Sequence, residues 1–401
     1  MNKVILFSFS VLFSFSVLSQ EPTTNDEGST YKFQKIAHLD ASPVQSQGYT
    51  GTCWSFSALS FFESEMMRKG NKNAPLLSEM YIVRKAYEGK AEKYIRMDGK
   101  INFEQGGAFH DIPWVFKNYG IVPSDVYSGN NYGLSSHNHR ELFSGLQGYV
   151  DGILAYSNNK GKGTLSPVWK QGVSGILDAY LGPDPTEFKF NGKKYTPRSY
   201  AAETGLNMDD YVSITSFTHL ENYEECLLAI QDNWAWGKSI NVPLNELLEI
   251  TENALRNGYT VAWGADVSEG GFNFRKGLAI VPEDESSIMV SGSDSRNFSD
   301  AGADKQSNAF LTPVKELEIT PKMRQEGYDN KTTTDDHGMH IIGLYKEANG
   351  TTYFLVKNSW GTNNFPQGYL YVSENYFKYK TINVYIHKEA LSEEYRKKLG
   401  I

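Results

Sequence analysis

Cysteine chemistry depends on what surrounds the thiol, and this chain has two cysteines, Cys53 and Cys226. A free thiol has a pKa of about 8.5 and is mostly protonated at neutral pH. To act as a nucleophile it needs a base, a group that orients the base, and donors for the oxyanion formed on attack at a carbonyl. The sequence offers a candidate for each. Around the first cysteine it reads Gln47-Gly48-Tyr49-Thr50-Gly51-Thr52-Cys53-Trp54. The glycines let the chain double back, so that the Gln47 carboxamide can point at the space above the sulfur. The backbone N–H of Cys53 is the second oxyanion donor. Two blander readings stand beside this one: a buried cysteine opening a core helix, and a Cys53–Cys226 disulfide. The Gln47–Cys53–Trp54 spacing favours the nucleophile.

The base is sought in Asp335-Asp336-His337-Gly338-Met339-His340. His337 opens an apolar run, where a rigid strand would hold it as general base and acid. His340 lies inside that run and reads as a core histidine. Twenty-one residues after His337 (358 − 337) comes Asn358-Ser359-Trp360-Gly361. Asn358, one hairpin away, can orient the imidazole, and Trp360 can shield that hydrogen bond from water.

The elements that must position these groups are legible in part. Trp54, Phe56, Leu59, Phe62 and Met66 recur at helical spacing from Cys53, and Gly70 is a stop. That places Cys53 at a helix N-terminus, where unpaired N–H groups favour an anion. Ser78 caps a second helix, and Ile112 to Tyr119 reads as a third. Val168–Leu181 ends at Gly182-Pro183, and Leu244–Arg256 is a clean amphipathic helix. Tyr259 to Trp263, His340 to Tyr345, Tyr353 to Lys357 and Tyr369 to Val372 read as strands, with a turn at Asn349-Gly350. The stretch from 286 to 305 reads as an exposed loop.

Composition is that of a globular protein: 40% apolar, 21% charged, net charge −8. The absence of long Lys/Arg runs argues against general nucleic-acid binding. Lys3 followed by an apolar run from Val4 to Val17, with small residues at Val17 and Ser19, reads as a secretory signal over residues 1–19, cut near Gln20. A retained N-terminal anchor is the alternative. No later stretch is long and apolar enough to span a bilayer. Residues 20–35 read as a flexible lead-in. His137 and His139 are too few to define a metal site, and the thiol chemistry calls for no cofactor. Three Asn-x-Ser/Thr triplets, at Asn297, Asn330 and Asn349, fit the glycosylation pattern, which is common by chance.

Together, the segments around Cys53, His337 and Asn358 resemble the papain superfamily of cysteine peptidases, in the family's order. Glu104-Gln105-Gly106-Gly107 is similar to the family's Gly-Gly segment, whose backbone pairs with the bound peptide. Ala254 to Phe274 resembles the segment lining part of the specificity pocket. Two departures narrow the match. Thr50 stands where most members have a disulfide cysteine. His337 follows Cys53 by 284 residues (337 − 53) rather than roughly 130–150. Both point to the bleomycin hydrolase / aminopeptidase C branch. The resemblance implies an α+β, papain-like two-lobed fold over residues 36–401, with a helical lobe, a β-barrel-like lobe and a mostly helical insertion at about 129–240. It implies peptide substrates bound along Gly106 and Gly107, with Asp266 and Trp360 as further substrate contacts. Branch members are typically homohexamers, and their C-terminus occupies the cleft and restricts them to aminopeptidase action. Here the end, Tyr395 to Ile401, reads as short for such an arm. Three functions follow: an exported thiol aminopeptidase, an endopeptidase with an open cleft, and a catalytically inert binding homologue.

Overall fold

The helix expected at Cys53 forms as α1 (Cys53–Arg68), and the molecule is organised around it. It is seen in a computed structural model that describes residues 23–158, 164–292 and 302–401. Every α1 residue from Cys53 to Met66 is buried, so this helix is a central strut rather than a surface amphipath. Strand β1 (Phe33–His38) precedes it. Helix α2 (Glu79–Arg96) follows, with Ser78 Oγ accepting from the Tyr81 N–H at 3.0 Å. Helix α3 (Asp111–Asn118) ends before Gly120, whose φ of 91° suits glycine. These helices enclose a core that includes Phe61, Ile82, Tyr87, Ile112 and Val115.

The region read as a mostly helical insertion divides in two. Its first part is α4 (Arg140–Ser157), α5 (Val168–Leu181), the hairpin β2 (Phe188–Phe190) and β3 (Lys193–Tyr195), and α6 (Pro197–Glu203). These helices bury Leu142, Leu146, Val173 and Leu177 in the same core. Its second part is strand: β4 (Tyr211–Thr215), β5 (Glu225–Leu227) and β6 (Lys238–Asn241). Tyr211-Val212-Ser213-Ile214-Thr215 is β-branched or aromatic in character, and β4 pairs with the main sheet through β15.

The second lobe begins at α7 (Leu244–Arg256), then β7 (Val261–Ala265), β8 (Phe272–Asn273) and β9 (Leu278–Ala279). The stretch expected to be one exposed loop contains the ribbon β10 (Met289–Ser291) and β11 (Asp304–Gln306), and Lys305 in it is buried. Helix α8 (Pro321–Asp329) leads to the long strands β12 (His337–Glu347), β13 (Thr352–Lys357) and β14 (Tyr369–Ser373). The chain finishes with α9 (Glu374–Lys380), β15 (Thr381–His387) and α10 (Glu393–Leu399). Among the described residues, eleven strands form one sheet in the order β5-β6-β4-β15-β7-β12-β13-β14-β9-β8, with β1 added on β12. The sheet is open rather than closed into a barrel.

Strand β12 serves both halves of this sheet. Its first residues pair with β7, placing His337 opposite Ala265. Its last residues pair with β1, from Gly343 to Glu347. The register with β13 slips between Ile341 and Gly343, the bend that lets one strand turn between partners.

The signal-like segment lies outside the described residues. The end of the stretch read as a flexible lead-in is packed, not loose. Asn25 is fully buried, donating to the carbonyls of Lys276 and Phe310 at 2.8 and 2.9 Å and accepting from Ser29 Oγ at 2.7 Å. Tyr31 and Phe33 insert among Tyr353 and Tyr371. Its polar composition hid this, because the side chains satisfy backbone groups of the second lobe. Asn25→Ala is therefore expected to cost about 1–3 kcal/mol of stability in denaturant unfolding. No measurable change would show the segment to be a passive extension.

Candidate functional site

Cys53 is the first residue of α1 and only 7% exposed. Thr52 precedes the helix without capping it through its side chain, its hydroxyl instead pairing with that of Thr50 at 2.6 Å. No acidic residue occupies the first turn. The helix therefore presents uncapped N–H groups and its positive end beside the sulfur. Both cysteines are free thiols, so the disulfide does not form.

His337 arrives from the other lobe at the start of β12. Its Nε2 lies 2.7 Å from Asn358 Oδ1. The Ser359 N–H donates to the same oxygen at 2.8 Å. An N–H must meet an acceptor, so that atom is the carboxamide oxygen and His337 Nε2 carries the proton. Nδ1 is left with its lone pair, the tautomer a general base needs. Trp360 lies against the imidazole with ring centroids 4.6 Å apart and is itself buried against Phe272 and Phe274. Next to His337, the Gly338 N–H donates to Cys53 Sγ at 3.5 Å. A side chain at Gly338 would collide with Ser57 Oγ at 2.7 Å, so the close approach of β12 to α1 requires glycine there.

Burial drives both groups towards their neutral forms. It pushes the Cys53 thiol up to about 12, with Asp232 and Asp335 adding to the rise and the Gly338 and Trp54 N–H groups opposing it. It pulls the His337 imidazole down to about 4, against the opposing pulls of Asn358 and Asp336. At neutral pH this favours a protonated Cys53 thiol beside a neutral His337 imidazole. His340 is buried three residues on, with Nδ1 2.8 Å from Ser60 Oγ, a core position as expected.

A polar clamp behind the site fixes the two lobes. Lys357 Nζ, at the end of β13, donates to Ser60 Oγ of α1 at 2.7 Å and to Ser42 Oγ at 3.0 Å. Ser42 in turn donates to Glu63 of α1. Burial raises the Glu63 carboxyl to about 7 and lowers the Lys357 ammonium to about 8.

Cys53 and His337 line one cleft of about 370 Å3, together with Trp54, Gly106, Gly107 and Gly264. The Gly-Gly segment is tied to the cysteine loop: Gly51 N–H donates to Gln105 Oε1 at 2.9 Å, and Trp54 Nε1 donates to Gln105 O at 3.1 Å. Four expected site residues are not on the cleft wall, Asn358 among them, set behind the imidazole that it meets. Gln47 is fully buried behind it, donating to Thr50 O at 2.7 Å and accepting from Ser359 Oγ at 2.7 Å. Trp360 packs on the far side of the imidazole. Asp266, expected to contact substrate, is buried in a loop, where it accepts from the N–H groups of Ser268 and Thr334 at 2.9 and 2.6 Å. It is a turn-capping residue, because two backbone donors consume its carboxylate. Sequence reasoning missed Asp232, Asp335 and Asp336, which do line the cleft. Asp335 and Asp336 adjoin His337 and were open to view, but nothing in the sequence placed Asp232 there.

A thiol at a helix start, an oriented imidazole and a glycine-walled cleft between two lobes define a papain-type cysteine peptidase. The sequence profile of the papain family cysteine proteases matches residues 31–137 and 314–390, the two blocks that flank the insertion. Aminopeptidase C of Lactococcus lactis is 24% identical over 393 residues, covering 89% of this chain and 83% of that one. Mouse bleomycin hydrolase is 20% identical over 421 residues, covering 92% and 85%. The crystal structure of PepW from Lactobacillus rhamnosis HN001 has the same fold, with a TM-score of 0.70 at 19% identity over 91% of this chain and 84% of that one. The chain belongs to the papain family, on the branch that includes aminopeptidase C and bleomycin hydrolase.

If the neutral His337 imidazole serves Cys53 as its base, Cys53 alkylation by iodoacetamide is expected to be nearly level from about pH 5 to 8. It should fall as pH drops through about 4, where His337 becomes protonated and can no longer accept. A rate that climbs tenfold per pH unit through 8 would mean that no base assists Cys53.

Proposed function

We propose that this protein is an exported thiol aminopeptidase that uses Cys53 as nucleophile, His337 as base and acid, and Asn358 as orienter. The observation that carries the reading is the His337–Asn358 hydrogen bond of 2.7 Å beside a Cys53 sulfur already contacted by the Gly338 N–H. Cys53 gives its proton to His337 Nδ1 as the sulfur bonds to the substrate carbonyl carbon. The oxyanion is received by the Cys53 N–H, with the Gln47 carboxamide, buried behind the cysteine loop, as the expected second donor. Collapse breaks the C–N bond, with the His337 proton going to the leaving amine. Water, deprotonated by His337, then releases the acyl group from sulfur. Gly106 and Gly107 flank the substrate.

The names of the aminopeptidase C relatives support action at free N-termini. One observation favours the endopeptidase reading instead: α10 packs on α7, with Tyr395 donating to Glu249 at 2.9 Å, and none of residues 393–401 lines the cleft. Assembly into a homo-oligomer, a hexamer by resemblance, and export by the N-terminal segment belong to the same proposal.

Cys53→Ala is expected to reduce hydrolysis of alanyl-aminomethylcoumarin by about 10^3-fold or more while leaving the circular dichroism unchanged. Undiminished turnover would falsify the nucleophile assignment. Comparison of free with N-acetylated alanyl substrate separates the two readings: an aminopeptidase requires the free amine, and an open-cleft endopeptidase does not. N-terminal sequencing of protein recovered outside the cytoplasm is expected to begin near Gln20.

A further inference from the structure

Part of the cleft wall comes from the insertion. Ile230, Gln231 and Asp232, from the loop between β5 and β6, line the cleft opposite Cys53. Asp232 comes so close to Gly106 that a Cβ there would lie 1.8 Å from Oδ2. Its Oδ1 accepts from Asn102 Nδ2 at 3.0 Å, which holds the carboxylate over the Gly-Gly segment. The Gly106 carbonyl is engaged from within by Lys90 Nζ, which also donates to Glu104 O at 2.9 Å. An extended peptide continuing past Gly106 would meet the Asp232 carboxylate.

The wall at this point is strongly anionic. Glu104, Asp232, Asp335 and Asp336 line the cleft, and no lysine or arginine among the described residues does so. Lys90, buried beneath, acts on Asp232, Asp111, Glu104 and Asp335, and Lys93 acts on Asp111. Asp335 Oδ2 is buried without a hydrogen-bond partner. Among the described residues no group of His, Cys, Asp and Glu is arranged to hold a metal ion.

We propose that Asp232 and Asp335 form the receptor for a primary ammonium of the substrate, its N-terminal α-amine, and that the 230–232 loop sets how far a peptide extends beyond the scissile bond. This rests on the aminopeptidase reading and gives it a structural basis in the cleft wall. A cation seated between the two carboxylates supplies the donor that Asp335 Oδ2 lacks and offsets the surplus charge. The crowding shows in Asp335 itself, whose carboxyl is held well above the usual range by burial and by the charges of Asp232, Asp336, Asp111 and Asp266.

The test measures kcat/KM on the full chain for three aminomethylcoumarin amides: alanyl, N-acetyl-alanyl and N-acetyl-lysyl-alanyl. The enzymes are the wild type, Asp232→Asn, Asp335→Asn and the charge-preserving Asp232→Glu, each normalised to Cys53 titrated with iodoacetamide so that misfolded protein does not count. The preference of alanyl over N-acetyl-alanyl is expected to fall about 10–100-fold in the Asn variants and to survive in part in Asp232→Glu. If the wild type prefers the free amine and the Asn variants keep that preference in full, the receptor assignment is overturned while the aminopeptidase reading stands. If the wild type shows no preference, the aminopeptidase reading fails, and the assignment with it. A loss confined to the N-acetyl-lysyl substrate would overturn the α-amine in favour of a side-chain ammonium.

Discussion

A proton can pass between sulfur and imidazole only across a hydrogen-bond distance, and here the two groups stand on different lobes, 284 residues apart (337 − 53). The contact of α1 with the first residues of β12 is therefore the constraint on which the rest of the structure depends. It explains why α1 is buried almost throughout, why Gly338 must be glycine, and why Lys357 crosses from β13 to serines on and beside α1. Each keeps two independently packed cores, one mainly helical and one built on the sheet, from shifting by the ångström that would separate base from thiol.

Burial does two opposed things in this cleft. It strengthens the His337–Asn358 hydrogen bond by excluding water and by covering it with Trp360. It also penalises the thiolate–imidazolium pair, since both ions lose hydration. The carboxylates Asp232 and Asp335 raise the thiol further. Substrate changes this balance: a bound cation offsets the carboxylates, and the oxyanion donors act only once the carbonyl is in place. Charge separation is thus favoured when the site is full rather than when it is empty.

The sequence made the placement of the three proposed catalytic groups legible because each sits where local rules apply. Cys53 opens a helix with apolar periodicity, His337 opens an apolar strand, and Asn358 follows one hairpin later. Leu244–Arg256 and Val168–Leu181 were readable to the residue, because an amphipathic stripe and a Gly-Pro break are local signals. What escaped was non-local. Tyr211 to Asn241 was read as part of a helical insertion, yet it extends the main sheet through pairings with β15, more than 140 residues away. Asp266, expected to contact substrate, accepts from the N–H of Thr334, 68 residues on, a partner that no local pattern announces. Asp232 lies in a loop without regular pattern, and only tertiary packing sets it against Gly106. Asn25 belongs to a stretch whose composition suggested looseness, but its partners at Lys276 and Phe310 are remote in the chain.

The pairing of β1 with the second half of β12 joins residues 33–38 to residues 343–347. Such a contact cannot form until most of the polypeptide has been made, and closing so long a loop is slow. His337, the proposed base, is in the same strand, so Cys53 emerges from the ribosome as an ordinary thiol. Competence to cut therefore waits on the docking of β12. The order of synthesis acts as a timer that keeps the nucleophile harmless while the chain is still being built.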